Sequence, residues 1–203
     1  SITVHDGFAY IPSYDDSLYC IDAGTGAEVW SFPTGGDIFS SPAVTDDRVI
    51  FGCADGNVYC LDTGTGNRIW SFFTSNFVWS SPVVDTNRIY IGSGSTAYAL
   101  DLTTGLLAWA VPLGETIIAS PALDSGELFF ATTGNNLNGI VYCLDAATGQ
   151  IVWLLAIPVV LTVLPAASVG GHVSRKIPVQ WLRKLLAVLI GLAAVRMWGS
   201  LLF

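Results

Sequence analysis

Few side chains in this sequence could carry acid–base, thiol or metal chemistry. Its glutamates are Glu28, Glu115 and Glu127, and its cysteines are Cys20, Cys53, Cys60 and Cys143. No two cysteines form a CxxC pair, so a zinc site of that type is not expected. The acidic pairs Asp15-Asp16 and Asp46-Asp47 offer oxygen ligands of the kind calcium takes. Both sit at expected hairpin turns, where solvated carboxylates are ordinary. Glu28 falls inside a repeated turn motif and Glu127 opens a strand, so both read as solvated. His5 aligns with Thr45 at a turn and is expected to be exposed and idle. The segment TGNNLNG, Thr133 to Gly139, supplies three amides and reads as a surface insertion.

The elements that would position these residues come from an internal repeat. YCIDAGTGAEVW from Tyr19, YCLDTGTGNRIW from Tyr59, YALDLTTGLLAW from Tyr98 and YCLDAATGQIVW from Tyr142 align. Their aspartates, Asp22, Asp62, Asp101 and Asp145, are 40, 39 and 44 residues apart, and the tryptophans Trp30, Trp70, Trp109 and Trp153 keep those spacings. A second marker repeats in phase: SSPAV with Pro42, SSPVV with Pro82 and ASPAL with Pro121. Within one period, runs rich in Val, Ile, Tyr, Phe and Trp alternate with Asp-, Gly- and Asn-bearing turns, the pattern of four short antiparallel strands. Four strands in roughly 40–45 residues is the period of a propeller blade. The fold expected is mainly β, a partial propeller of about four four-stranded blades over residues 1–153.

The repeated residues have structural work to do. Each aspartate can accept backbone N–H bonds within its turn. The glycine four places on (Gly26, Gly66, Gly105, Gly149) can take positive φ. The tryptophan four further on can pack between blades while its N–H finds a carbonyl. A residue present in every blade is not expected to be catalytic. Cys20, Cys60 and Cys143 occupy the position that Ala99 holds in the remaining copy, which asks for a small buried side chain.

The pattern AxDxxTGxxxW, matched in full by Ala99, Asp101, Thr104, Gly105 and Trp109, resembles the tryptophan-docking motif of quinoprotein-type propellers. Residues 1–153 therefore look like PQQ-like repeats. Such blades build PQQ-dependent alcohol dehydrogenases, the outer-membrane assembly lipoprotein BamB and extracellular sensor domains, so the motif implies fold more than chemistry. The enzyme branch of the resemblance implies PQQ in the ring's channel, Ca²⁺ held by Glu, Asn and Asp oxygens, an aspartate base and often two adjacent cysteines. This chain has no adjacent cysteine pair.

Two further features bear on partners. Phe39 and Trp79 stand three places before the SP prolines, with Ala119, two places before Pro121, read as their counterpart in the 39-residue blade. If Phe39 and Trp79 lie near an inner rim, they form an apolar contact patch. Ser1 aligns with Ser41, giving just under four repeats to Trp153, and an arc of that kind presents open blade faces that invite association.

Charge divides the chain at the same place. Residues 1–153 hold all sixteen acidic residues against Arg48, Arg68 and Arg88, a net of −13, which argues against nucleic-acid binding. The remaining fifty residues carry Arg175, Lys176, Arg183, Lys184 and Arg196 and no acid, a net of +5. SITVHDGFAY shows neither the basic start nor the apolar stretch of a signal peptide. From Ala146 to Ser174 runs a 29-residue stretch without charge, and about 20 helical residues span a bilayer core of about 30 Å. Two transmembrane helices are expected, at about 154–172 and 179–203. Trp181 and Trp198 stand at interface depths, and Pro178 opens the second helix. Pro165 falls where a fifth SP proline would, but no turn residue or aspartate follows it. A buried soluble helical pair would need an apolar partner surface that the chain does not supply. LPAASVGGHVSRKIPVQWLRKLLAVLIGLAAVRMW resembles the last two segments of TauE/SafE-type sulfite exporters. The basic loop near Lys176 is expected in the cytoplasm and the acidic repeats outside, in a periplasm or at a cell surface.

The function expected is a non-catalytic, membrane-tethered, PQQ-like module that binds a protein or ligand outside the membrane. It reads as a fragment or a fusion, with no catalytic, cofactor or metal residues assigned. One alternative is a fragment of a PQQ-dependent dehydrogenase, which brings in PQQ and Ca²⁺. Another is part of an anion permease with a sensory propeller.

Overall fold

The computed structural model describes residues 1–133 and 138–158. Four antiparallel sheets follow one another along the chain. The first holds β1 (Thr3–His5), β2 (Phe8–Pro12), β3 (Ser17–Asp22) and β4 (Glu28–Pro33), in that spatial order. The second repeats the plan with β5 (Ala43–Val44), β6 (Arg48–Gly52), β7 (Asn57–Asp62) and β8 (Arg68–Phe73). The third does so with β9 (Val83–Val84), β10 (Arg88–Ser93), β11 (Thr96–Asp101) and β12 (Leu107–Pro112). The fourth holds β13 (Thr116–Ile117), β15 (Glu127–Thr133), β16 (Asn138–Asp145) and β17 (Ile151–Pro158), and β14 (Ala122–Asp124) also pairs with β15.

The sheets are joined by their side chains. Side chains alternate across a strand, so an inner strand sends residues to both neighbours. From β6, Val49 and Phe51 pack with Tyr10, Leu18 and Trp30 of the first sheet, while Ile50 packs with Ile89, Ile91 and Leu100 of the third. From β10, Tyr90 turns the other way and joins Leu128, Phe130, Tyr142 and Leu144 of the fourth sheet. Three cores thus lie between four consecutive sheets. Cys20, Cys60, Ala99 and Cys143 are all fully buried at one equivalent position. Cys53 lies just past β6 and is also buried, its thiol donating to the Gly36 carbonyl at 3.0 Å.

Each third strand carries the same irregularity, a register shift at Cys20/Ile21, Cys60/Leu61, Ala99/Leu100 and Cys143/Leu144. A bulge there increases local twist. It lies one residue before the motif aspartate and so directs the turn that follows.

The fourth sheet departs from the sequence-based expectation. β15 and β16 have seven and eight residues, and the pairing runs out to Thr133 opposite Gly139. Thr133, Asn138 and Gly139 of the TGNNLNG segment therefore belong to the paired strands. Leu154–Ala156 pair with β16 as the three residues after Trp30, Trp70 and Trp109 pair in their own sheets, and the longer β16 adds Gly139 and Asn138 as partners for Ile157 and Pro158. The strand thus runs to Pro158, five residues past Trp153, where a helix was expected to begin at residue 154. No helix among the described residues is long and apolar enough to cross a membrane. The remainder of the expected hairpin, 159–203, and its likeness to sulfite exporters lie outside the described residues.

Candidate ligand-binding face

The docking turns and the candidate binding face lie at opposite ends of the strands. In the turn after β3, Asp22 Oδ1 accepts the Gly24 N–H at 3.0 Å, the Thr25 N–H at 2.7 Å and the Thr25 hydroxyl at 2.8 Å. The Thr–Asp pair recurs in Thr65–Asp62, Thr104–Asp101 and Thr148–Asp145. The tryptophan of one sheet then reaches the turn of the next. Trp30 Nε1 donates to Thr63 O at 2.9 Å, Trp70 to Leu102 O at 3.1 Å and Trp109 to Ala146 O at 3.1 Å. Each ring lies over the next turn's glycine (Gly66, Gly105 or Gly149), where a Cβ would come within 2.6–2.8 Å of the indole. Gly26 has nothing within 4 Å of that position, and Trp153 is 41% exposed.

The donated bonds give these turns a pH signature. The Thr25 hydroxyl, with the Thr25 and Gly24 N–H groups, holds the Asp22 carboxyl below the usual range. Asp62, Asp101 and Asp145 are lowered in the same way, first by their threonine hydroxyls. A carboxylate lowered in the folded state contributes stability above its ordinary value, about 3.9. It loses that contribution as pH falls through the folded value. Asp62→Asn is therefore expected to lower the urea midpoint at neutral pH, with the gap to the parent closing as pH falls below the ordinary carboxyl range and through the lowered folded value. A gap independent of pH would refute this role for the carboxylate.

The other end of the sheets carries exposed aromatics. Phe39 and Trp79 are 43% and 39% exposed, with ring centroids 6.3 Å apart. Tyr14 extends the row on one side at 5.1 Å from Phe39. Phe77 extends it on the other, stacked on Trp79 at 5.9 Å with an interplanar angle of 7°. The loops that hold the row are pinned: Ile38 N–H bonds to Ser13 O, Ala54 N–H to Asp37 O, and Val78 N–H to Cys53 O. Ile38 and Val78, next to the exposed rings, are buried and anchor these segments.

The counterpart of Phe39 and Trp79 is Ile118, not Ala119. Ser41 N–H donates to Ser81 Oγ at 2.8 Å and Ser81 N–H to Ser120 Oγ at 3.0 Å, which aligns these serines. The position two before each is Phe39, Trp79 and Ile118, the last 48% exposed. Ala119 aligns with Ser40 and Ser80, whose hydroxyls clamp the Gly52 and Gly92 backbones. The missing residue of the third period lies upstream, where β10 and β11 join through Gly94-Ser95 alone. The sequence reading also lacked Tyr14 and Phe77. Neither repeats, so no periodic signal marked them.

Acidic groups border the row. Asp55 accepts the Tyr59 hydroxyl at 2.6 Å, the Asn57 N–H at 2.9 Å and the Gly35 N–H at 3.1 Å. Burial works to raise its pKa, but these bonds outweigh it and the carboxyl sits below its usual range. Asp15 accepts the Tyr19 hydroxyl at 2.9 Å. Glu115, Asn76, Phe77 and Trp79 line a cleft of about 450 Å³, and Asp55 and Phe77 share a smaller one of about 230 Å³.

His5 sits at the docking-turn end, 3.5 Å from Asp6 and 3.6 Å from Asp46, with 30% of its side chain exposed. It was expected to be exposed and idle. The adjacent turns of the first two sheets instead bring both carboxylates to it. Its nitrogen and the two carboxylate oxygens all lie within 4.8 Å. It is the only grouping of three or more such ligands among the described residues.

Glu28 is bound to Ser31 and Glu127 pairs with Asp145 at a strand end. The cleft with Glu115 and Asn76 is lined by no second carboxylate. The four cysteines are buried, form no disulfide among the described residues and lie apart from one another in sequence.

Solved structures with this architecture are numerous. A quinohemoprotein alcohol dehydrogenase from Pseudomonas putida HK5 aligns over 76% of this chain and 33% of its own, with TM-score 0.67 and 21% identity. BamB from Moraxella catarrhalis aligns over 76% of this chain and 60% of its own, with TM-score 0.60 and 20% identity. The quinohemoprotein alcohol dehydrogenase from Comamonas testosteroni aligns over 76% and 34%, with TM-score 0.69 and 18% identity. This chain therefore spans between a third and three-fifths of the length of these proteins, and at such identities the likeness is one of fold. No curated protein matches the chain. The family model does: the chain belongs to the family of PQQ-like repeats described as "Outer membrane protein assembly factor BamB", whose model matches residues 1–77 and 75–155.

Proposed function

We propose that this chain is a non-catalytic binding module that works outside a cell membrane and is tethered to it through residues after Pro158. The observation that carries the binding role is the row Tyr14–Phe39–Trp79–Phe77, exposed at one end of the sheets on loops that are themselves hydrogen-bonded in place. Exposed aromatics held this firmly retain little side-chain entropy to lose on binding, which favours their use as contact anchors. The acidic repeats and the basic segment around Lys176 support an extracytoplasmic placement under the positive-inside rule. The membership in a BamB-described family is compatible with a scaffold role.

Two measurements on the full chain test this. Titration with PQQ and Ca²⁺ is expected to give no bound quinone spectrum and no dye-linked alcohol oxidation; either signal overturns the non-catalytic reading. In intact cells, a cysteine introduced at Lys176 is expected to be shielded from an impermeant thiol reagent. Labelling there overturns the orientation.

A further inference from the structure

We propose that the aromatic row receives an extended peptide segment bearing arginine or lysine at alternate positions. This rests on the binding role proposed above and specifies the partner's chemistry.

The first ground is the distribution of charge. The strand registers place Arg48 opposite Asp62 and Arg68 opposite Leu61, at the docking-turn end of the second sheet. Arg88 lies at the same end of the third sheet, opposite Asp101. These are the three cationic side chains of the described residues other than His5, which lies at that end too. Arg48 pairs with Asp47 at 3.3 Å, and Arg88 donates to the Ala146 and Ala147 carbonyls. The aromatic end has no cationic side chain among the described residues. It has Asp15, Asp16, Asp37, Asp55 and Glu115, four of them near the row: Asp15 next to Tyr14, Asp37 two places from Phe39, Asp55 sharing a cleft with Phe77, and Glu115 sharing one with Trp79. Aromatic faces attract cations through their quadrupoles, and flanking carboxylates add a Coulombic attraction. Carboxylates with no cationic partner beside rings do not suit a purely apolar guest, which would bury their charge uncompensated.

The second ground is spacing. Successive ring centroids are 5.1, 6.3 and 5.9 Å apart. Side chains on one face of an extended chain recur every two residues, about 6.6 Å at the rise of a strand. A single small amine would engage one step of the row, whereas an extended segment meets each ring in turn. Arginine fits best, because its planar, weakly hydrated guanidinium stacks on rings while its N–H groups reach carboxylates.

The test uses the full chain and a fluorescein-labelled peptide of four Arg-Ser repeats, read by anisotropy at low and physiological salt. Two other peptides of equal length serve as controls. In one the arginines form a block followed by the serines; in the other phenylalanine replaces arginine. Saturable binding is expected for the alternating peptide, several-fold tighter than for the block. It should weaken about tenfold in Trp79→Ala. Glu115→Gln and Asp37→Asn should weaken it several-fold with little risk to folding, whereas Asp46→Asn at the opposite end should leave it unchanged. Equal weakening by Asp46→Asn overturns the proposal, because attraction to bulk negative charge then explains binding. Tighter, Trp79-dependent binding of the phenylalanine peptide overturns the cationic assignment yet leaves the contact role of the row. Indifference of all three peptides to both Trp79→Ala and Phe39→Ala refutes the binding role of this face as well.

Discussion

Replacing Trp70 by alanine is expected to lower the free energy of unfolding by about 3–5 kcal/mol, whereas Trp153→Ala, the same substitution one step beyond the last interface, costs about 1 kcal/mol or less. Trp70 is 9% exposed, lies over Gly105 and donates to the Leu102 carbonyl at 3.1 Å. Its removal opens a cavity between the second and third sheets and leaves that carbonyl without its side-chain donor. Trp153 has an identical position in its own turn motif, yet it is 41% exposed, and the ring contact it makes is with Phe129 at 5.9 Å. The energy therefore belongs to the joint between two sheets and not to the motif within one. Urea denaturation of the two variants decides it. Comparable losses would mean that the tryptophan acts within its own sheet, and the interlocking of blades through Trp and Gly would have to be abandoned.

That contrast also explains what was legible in the sequence. The Asp, Gly and Trp spacings were readable because each residue type does one job that few others can do and recurs in every period. The exposed row was half readable. Phe39 and Trp79 share an offset from their prolines, but Tyr14 and Phe77 enter from non-repeating loop positions. Ile118 stands at that same offset, three before Pro121; placing the one-residue shortening in this segment, and not in the hairpin through Gly94-Ser95, put Ala119 there instead. The stretch Leu154–Pro158 was misassigned for another reason. A short apolar run has the same composition whether it becomes a strand or a membrane helix. What decides is whether a neighbouring strand offers free backbone groups, and here β16 does so, as the third strand of each earlier sheet does for the three residues after its tryptophan.

The glycine beneath each ring gives a second and independent test of the same joint. Gly66→Ala is expected to destabilise the chain by about 3–5 kcal/mol, combining a left-handed backbone penalty, overpacking and a weakened hydrogen bond. Gly26→Ala should cost only the backbone part, about 1–2 kcal/mol. Both residues hold left-handed backbone, with φ of +70° and +74°. The first cost is therefore common to the two and cancels in the comparison. What differs is the space above them. A Cβ on Gly66 would lie 2.6 Å from Trp30 Cδ2 and 2.8 Å from Cε3, while nothing lies within 4 Å at Gly26. The indole is rigid and cannot fold aside. It must lift, and lifting lengthens the 2.9 Å bond from Nε1 to Thr63 O. The denaturation midpoints should separate with no change in slope, since both variants unfold the same surface. Midpoints that coincide would show that the glycine serves only its turn, and that the close approach of ring and backbone contributes nothing to holding the sheets together.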